Sequence, residues 1–275
     1  MLTAAEKRRV FRKLHESGCF VIPNPWNAGT ALYLQHLGFK AIASTSSGHA
    51  HSEGLPDGAE TLDAVLAHLR ELAECTDIPL NADFENGYAG TSDGLATNVR
   101  RCVETGVAGL SIEDFDGKGI YPIDEAVARI KVARAAIDKA GGDVMLTGRC
   151  ENFLHGRPDL DDTIRRLKAY SDAGADCLYA PLIKTREQVE AVVKAVAPKP
   201  VNFLNSGAFG FTVADLAAMG VRRISVGGSL ARIAMQAFIK MSREIADQGK
   251  FDGFTGLMSN AELNKFFHDA SRKKS

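Results

Sequence analysis

The sequence predicts an α/β fold of the (β/α)8 TIM-barrel type, and three observations carry that reading. Short β-branched runs alternate with longer amphipathic stretches from one end of the chain to the other. A helix-ending glycine precedes the next strand at joint after joint. The units number about eight at roughly thirty-residue spacing, which suits a parallel sheet closed on itself.

The strands are expected at Cys19–Pro23, Ala41–Ser44, Pro79–Ala82, Gly109–Ile112, Val144–Thr147, Cys177–Tyr179, Val201–Leu204 and Arg223–Val226. Between them, apolar residues recur at helical spacing, as in Leu62, Val65, Leu66, Leu69 and Leu72, or Ile164, Leu167 and Tyr170. The joints Leu37-Gly38, Thr105-Gly106, Ala173-Gly174 and Met219-Gly220 place glycine where a helix ends in the left-handed conformation. A doubly wound open sheet is the structural alternative. Against it, no Gly-x-Gly-x-x-Gly follows the first strand. Gly227-Gly228-Ser229 after strand eight reads either as an anion site at a helix start or as a plain tight turn.

The 275 residues are 45% hydrophobic and fit one barrel domain spanning 1–275, with a helical tail from about residue 246. Charged residues make up 24% and the formal net charge is −1, so no general pull toward nucleic acid or an anionic membrane is expected. The basic Arg272, Lys273 and Lys274 read as a solvated terminus. No apolar run approaches a membrane span, and the charged start has no signal-peptide core behind it. The five cysteines are widely spaced without a Cys-x-x-Cys pair, so a reduced cytoplasmic protein is expected.

In a barrel the polar residues just past the C-terminal strand ends line the active site. Strand two runs into Thr45-Ser46-Ser47, hydroxyls and backbone N–H groups suited to a carboxylate or to local turns. Strand three runs into Asp83-Phe84-Glu85 and strand four into Glu113-Asp114. Carboxylates stacked at one height repel each other, and a hard divalent cation, Mg²⁺ or else Mn²⁺, would offset that cost. The alternative is that these acids cap helices or pair with basic residues. Strand five ends at Arg149, whose planar fork can grip a substrate carboxylate or an oxyanion, or pair with Glu113 or Glu151. Asn202, at strand seven, could contact substrate through its amide. His49-x-His51 reads as a loop pair without an acidic or cysteine partner, and His155 as a loop histidine that could donate a proton.

These motifs resemble those of the isocitrate lyase/phosphoenolpyruvate mutase superfamily over nearly the whole chain. Asn24-Pro25-Trp26-Asn27 resembles the first-strand motif, and Thr45-Ser46-Ser47 with Gly54-Leu55-Pro56-Asp57 the substrate loop and the acid behind the metal. Asp83-Phe84-Glu85-Asn86-Gly87-Tyr88 is similar to the metal motif, with glutamate in the second acidic place. Ile112-Glu113-Asp114 and Arg149-Cys150-Glu151 match the next two. The resemblance implies Mg²⁺ held by Asp83, Glu85, Asp57 and Glu113, and catalysis by Arg149 and Glu113. It implies a small 2-oxo acid bound by Trp26, Thr45, Ser46, Ser47, Arg149 and Asn202. It also implies a homo-oligomer, dimer or tetramer, whose last helix packs on a neighbouring subunit.

The implied activity is a lyase or decarboxylase cleaving a C–C bond beside a 2-oxo acid through an enolate-like intermediate. Two alternatives stay open: P–C chemistry of the phosphonomutase or phosphonopyruvate hydrolase type, and a 2-oxo-acid-binding protein that has lost its gate. The gate is where the likeness breaks. Lyases of this kind carry a Cys-Gly-His there, whereas this chain has Asp114-Phe115-Asp116-Gly117-Lys118-Gly119-Ile120-Tyr121-Pro122. Lys118 is a loose counterpart of a mutase lysine, and Pro181 stands where relatives have histidine or glutamate.

Overall fold

A computed structural model of the chain describes residues 2–272, so Lys273 and Lys274 lie outside the described residues. Eight parallel strands form the sheet: β1 (Phe20–Ile22), β2 (Ile42–Ala43), β3 (Leu80–Asp83), β4 (Gly109–Glu113), β5 (Met145–Arg149), β6 (Cys177–Tyr179), β7 (Val201–Leu204) and β8 (Arg223–Ser225). Hydrogen bonding runs β1-β8-β7-β6-β5-β4-β3-β2. The seam between β1 and β2 is bridged by Ala43 N donating to Pro23 O at 3.0 Å. The expected strands are all present, and the barrel is the architecture rather than an open sheet.

The helices are α1 (Ala4–Glu16), α2 (Ala28–His36), α3 (Ser46–Ser52), α4 (Leu62–Cys75), α5 (Ser92–Glu104), α6 (Ile123–Lys139), α7 (Leu160–Asp172), α8 (Arg186–Val196), α9 (Val213–Ala218), α10 (Ser229–Gln248) and α11 (Asn260–Arg272). Thr61, Thr91, Asp159, Thr185 and Thr212 cap the starts of α4, α5, α7, α8 and α9 with side-chain oxygens. Gly38, Gly106, Gly174 and Gly220 follow α2, α5, α7 and α9 with φ of 87, 92, 106 and 87°, the left-handed values expected at those joints.

Strand alternation sorts the residues into two populations. Leu80, Ala82, Leu110, Ile112, Leu146, Leu178, Val201, Phe203 and Ile224 face outward into the main core under the helices. The inward residues are far more polar: Asn81, Ser111, Thr147, Asn202, Arg223 and Ser225 are all buried. At the N-terminal end α1 plugs the barrel, with Phe11 joining Ile22, Ala41, Ala43, Ala108 and Met145 in a second small core. The interior is therefore closed below and opens only at the C-terminal mouth.

One feature differs from the sequence reading. Residues 46–52 form α3 rather than a loop, because Thr45 caps that helix by accepting from Gly48 N at 3.2 Å. The helix after β8 runs to Gln248. No residue of α10 is buried, and Ile233 and Phe238 are 63% and 67% exposed. Helix α11 returns to α2, where Phe266 packs edge-on against Tyr33 and His36 at 5.3 and 5.2 Å. Among the described residues, no helix is long and apolar enough to cross a membrane.

Candidate active site

The strand ends meet at a cavity of about 460 Å³ that opens at the mouth, beside a second of about 910 Å³ under the segment 115–121. Ser46, Asp57, Arg149 and Leu154 line both. Arg149 is the hub. Its guanidinium donates to Asp83 at 3.1 Å, lies 3.3 Å from Glu113, and donates through Nε to Glu151. It also sits 5.2 Å from the centre of the Tyr179 ring, within cation–π range. β5 supplies Arg149 while β3 and β4 supply Asp83 and Glu113, and Glu113 pairs in register with Arg149.

Asp83 is held on its other side by α3. One oxygen accepts from both the backbone N–H and the hydroxyl of Ser46, each at 3.1 Å, while Ser44 Oγ accepts from Asp83 N at 2.8 Å. The hydroxyl run after β2 thus orients the carboxylate of the neighbouring strand. Glu85 follows in a left-handed conformation, φ 45°, and Tyr88 has φ 54°. Such backbone in non-glycine residues is uncommon and clusters at functional sites.

The electrostatics show a surplus of negative charge. Burial, followed by the Asp83 charge, pushes the Glu85 carboxyl up to about 7. Glu113 is driven well above the carboxylate range by burial and by Glu151, Asp83 and Glu85, against the pull of Arg149. Partial burial in the mouth and then Asp83 raise Asp57 as well. Glu151 goes the other way: burial alone would raise it, but Arg149 and His155 outweigh that and hold it low. One guanidinium does not neutralise this group, and a divalent cation would. Among the described residues no three His, Cys, Asp or Glu side chains converge to ligate one ion directly. Mg²⁺ takes one or two carboxylates and keeps several waters, so its fit here rests on the carboxylate surplus around Arg149 and not on a ready-made ligand cage.

The structure separates the sequence candidates. Asp57, Asp83, Glu85, Glu113, Arg149, Thr45, Ser46 and Ser47 are brought to the two cavities. Trp26 is not; it lines a separate groove against α10 and α3. Asn202 lies a layer below the mouth with both amide ends engaged, donating to Ser225 Oγ at 2.9 Å and accepting from Arg223 at 2.8 Å. Asp114, next to Glu113, points away from the mouth, into Arg166 at 3.1 Å and Tyr170 at 2.5 Å. His49 does have an acidic partner: it meets Glu60 at 2.5 Å and stacks on His68 with ring centres 3.6 Å apart. Cys150 is fully buried in the outer core, as alternation from Arg149 requires.

Sequence reading missed several residues of the site. Tyr179 and Ser225 line the cavity, and alternation from Cys177 and Arg223 would have turned them inward. His155 lies in the loop after β5 as expected, and there it stacks on Phe115 at 3.6 Å and lies 3.3 Å from Glu151. That contact ties the segment after β4 to the loop after β5, and no local pattern announces it.

Fold and site together define a barrel enzyme scaffold with an acid-rich, arginine-centred mouth. Residues 11–246 match the family described as Phosphoenolpyruvate phosphomutase. The chain belongs to that family, within the isocitrate lyase/phosphoenolpyruvate mutase superfamily. It is 33% identical over 232 residues to 2-methylisocitrate lyase of Escherichia coli, covering 79% of this chain and 74% of the relative. Among solved structures, a putative lyase/mutase from Burkholderia cenocepacia J2315 is 44% identical with a TM-score of 0.93, over 96% of this chain and 97% of that one. Phosphonopyruvate hydrolase in complex with oxalate and Mg²⁺ is 25% identical with a TM-score of 0.86, over 99% and 98%.

Proposed function

We propose that this chain is a Mg²⁺-dependent lyase or decarboxylase that cleaves a C–C bond next to the carbonyl of a small 2-oxo acid. The observation that carries the reading is the carboxylate surplus around Arg149, with Glu85 and Glu113 both driven up by burial and by their acidic neighbours. Asp83 is the first candidate ligand, since it lines the cavity and its Oδ1 accepts a single hydrogen bond, from Arg149, which leaves that oxygen a further lone pair. Glu85, Asp57 and Glu113 would hold the ion's waters. When bound, Mg²⁺ acts as a Lewis acid toward the 2-oxo oxygen.

The chain's own residues would do the rest. Cleavage beside a 2-oxo group leaves an enolate, whose oxygen carries more charge than the carbonyl did. A fixed guanidinium therefore favours the transition state over the ground state. Arg149 is fixed in that sense, gripped by Glu151 and Asp83 at once. Thr45, Ser46 and Ser47 stand at the rim to orient the substrate carboxylate.

The segment 114–122 carries no cysteine or histidine, and Lys118 within it is exposed. A gate without cysteine or histidine suits a simple cleavage such as decarboxylation better than a reaction that needs a sealed acid of that kind. P–C chemistry is the second reading, favoured by the likeness to the phosphonopyruvate hydrolase. The test is a screen of oxaloacetate, 2-methylisocitrate, citramalate-type acids and phosphonopyruvate with and without Mg²⁺, beside calorimetry of Asp83→Ala. Mg²⁺-dependent turnover of an oxo acid, with metal-dependent binding abolished in the variant, is expected. Unchanged affinity for Mg²⁺ and oxo acid in Asp83→Ala would place the site elsewhere, and binding without any turnover would make the chain a binding protein.

A further inference from the structure

The cavity does not stop at the strand ends. It continues down the barrel axis between Asn81, Ser111, Asn202 and Ser225 and ends on Arg223, at the first residue of β8. The interior of a TIM barrel is ordinarily filled by bulky branched side chains. Here small polar residues leave it hollow, and Arg223, 3% exposed, lies at its floor.

Among the described residues, the hydrogen bonds of Arg223 go only to neutral groups. Nε donates to Asn202 Oδ1 at 2.8 Å and Nη2 to Thr147 Oγ1 at 3.1 Å. Nη1 makes two long contacts, 3.4 Å to Asn81 Oδ1 and 3.5 Å to His15 Nε2. His15 Nδ1 lies 2.8 Å from the Phe11 carbonyl, which makes Nδ1 the donor and leaves Nε2 its lone pair toward Arg223. Burial, then the Arg223 charge, lower the imidazole to about 3, so it stays neutral. Among the described residues no carboxylate lies within ion-pair distance of Arg223. Asp176, near the neighbouring Cys177, is taken by Arg12 and Arg134.

A buried charge without a counter-charge is costly, and arginine does not escape by losing its proton. Because Phe11 closes the barrel below, a compensating ion can reach Arg223 only from the mouth. Thr147 and Arg149 are two residues apart on β5, so this floor lies about 7 Å below Arg149 at ~3.3 Å per strand residue.

We propose that the Arg223 guanidinium, held in place by the side-chain oxygens of Asn81, Asn202 and Thr147, forms an anion subsite inside the barrel, at the floor of the cavity. It takes one compact anionic group, either a free inorganic monoanion or the carboxylate of an organic ligand entering from the mouth. The subsite does not depend on the reaction proposed above.

The test is thermal unfolding of the full chain in EDTA, titrated with bromide and separately with malonate. Ionic strength is held constant with bulky isethionate, and wild type is compared with Arg223→Gln and Arg223→Lys. Wild type is expected to gain a few degrees in Tm, and Arg223→Gln to lose that gain. A gain from bromide alone assigns a free ion, and one from malonate alone assigns an organic carboxylate. No gain from either anion in wild type, or an equal gain in Arg223→Gln, overturns the proposal. If neither variant folds, wild-type crystals soaked in bromide and in malonate decide: density for either anion against the Arg223 guanidinium supports the subsite, and its absence in both rejects it.

Discussion

Glu113 and Asp114 are neighbours in sequence and opposites in role. Glu113 faces the mouth beside Arg149, whereas Asp114 turns outward and is 2% exposed, accepting from Arg166, Tyr170 and the Glu151 backbone. Removing Asp114 takes the acceptor from Tyr170 and from the Glu151 N–H, and leaves Arg166 with Asp162 as its one carboxylate partner among the described residues, beside the Tyr121 carbonyl. Asp114→Ala is expected to lower stability by about 3 kcal/mol, the range for breaking a buried ion pair, read as a fall in the denaturant midpoint. Glu113→Gln removes a repelled carboxylate instead and should leave stability equal or higher while weakening metal binding. A residue pair with equal stability losses would refute this division.

The same surplus charge sets a pH dependence. The Glu85 carboxyl is raised to about 7 in the folded chain from a value of 4.5, so between those values the folded state holds a proton that the unfolded state has lost. Stability of the metal-free protein is therefore expected to decline as pH rises through that window. Mg²⁺ binding must displace the proton, so its affinity should climb over the same interval and level off above about 7. Glu85→Gln should flatten both curves; calorimetric titrations at a series of pH values would expose a pH-independent affinity if the argument is mistaken.

At the scale of elements, strand five and the segment after strand four decide what the mouth can do. β5 alternates Thr147 and Arg149 inward with Leu146 outward, and Cys150 beyond it is buried in the outer core. Burial pushes the Cys150 thiol well above its ordinary range, which makes it a poor acid. Segment 114–122 offers no substitute for a gate cysteine, and general acid–base assistance is typically worth ~10²–10⁴ in rate. Cleavage of 2-methylisocitrate is accordingly expected to be residual. Arg149→Ala should abolish oxo-acid turnover and Cys150→Ala leave it near wild type. Lyase rates on the order of 10 s⁻¹ that vanish in Cys150→Ala would contradict both the gate argument and the strand orientation.

Much of this scale was legible in the sequence, for a physical reason. Strand period, helix period and helix-ending glycine are local signals, so all eight strands and the four glycine joints followed from them. The position of Asp83, Glu113 and Arg149 at strand ends followed from the same register. Contacts across the barrel were not legible, because they join residues far apart in the chain. The Ser46 clamp on Asp83, the Phe115–His155 stack and the outward turn of Asp114 toward α7 are of that kind. The place of Trp26 beside α10 was not legible either, because its strand-one position said nothing of the groove that α10 makes there.

Whole-molecule behaviour turns on α10. Its twenty residues follow β8, where a barrel helix would normally cover the sheet, yet none of them is buried. The sequence shows an apolar run Leu230, Ile233, Ala234, Ala237, Phe238 and Met241, and the structure leaves Ile233, Met235, Phe238 and Ile239 at 63, 40, 67 and 42% exposure. With Trp26 and α3, this face encloses a largely apolar groove of about 390 Å³. A large apolar side chain left in water forgoes roughly 1.5–3 kcal/mol relative to burial, so a helix carrying several is stable in this position only when something covers it. A second copy of the chain presents the same helix and groove, and a two-fold contact would bury both faces at once. The protein is therefore expected to be a homo-oligomer, dimer or tetramer, built on α10. Light scattering at micromolar concentration should give a multiple of the 29.5 kDa chain mass. Ile233→Glu combined with Phe238→Glu should drive that mass toward one chain and lower Tm, because the groove beside Trp26 then loses its cover. A wild-type mass of one chain would refute the assembly, and an oligomer unaffected by the double substitution would place its interface elsewhere.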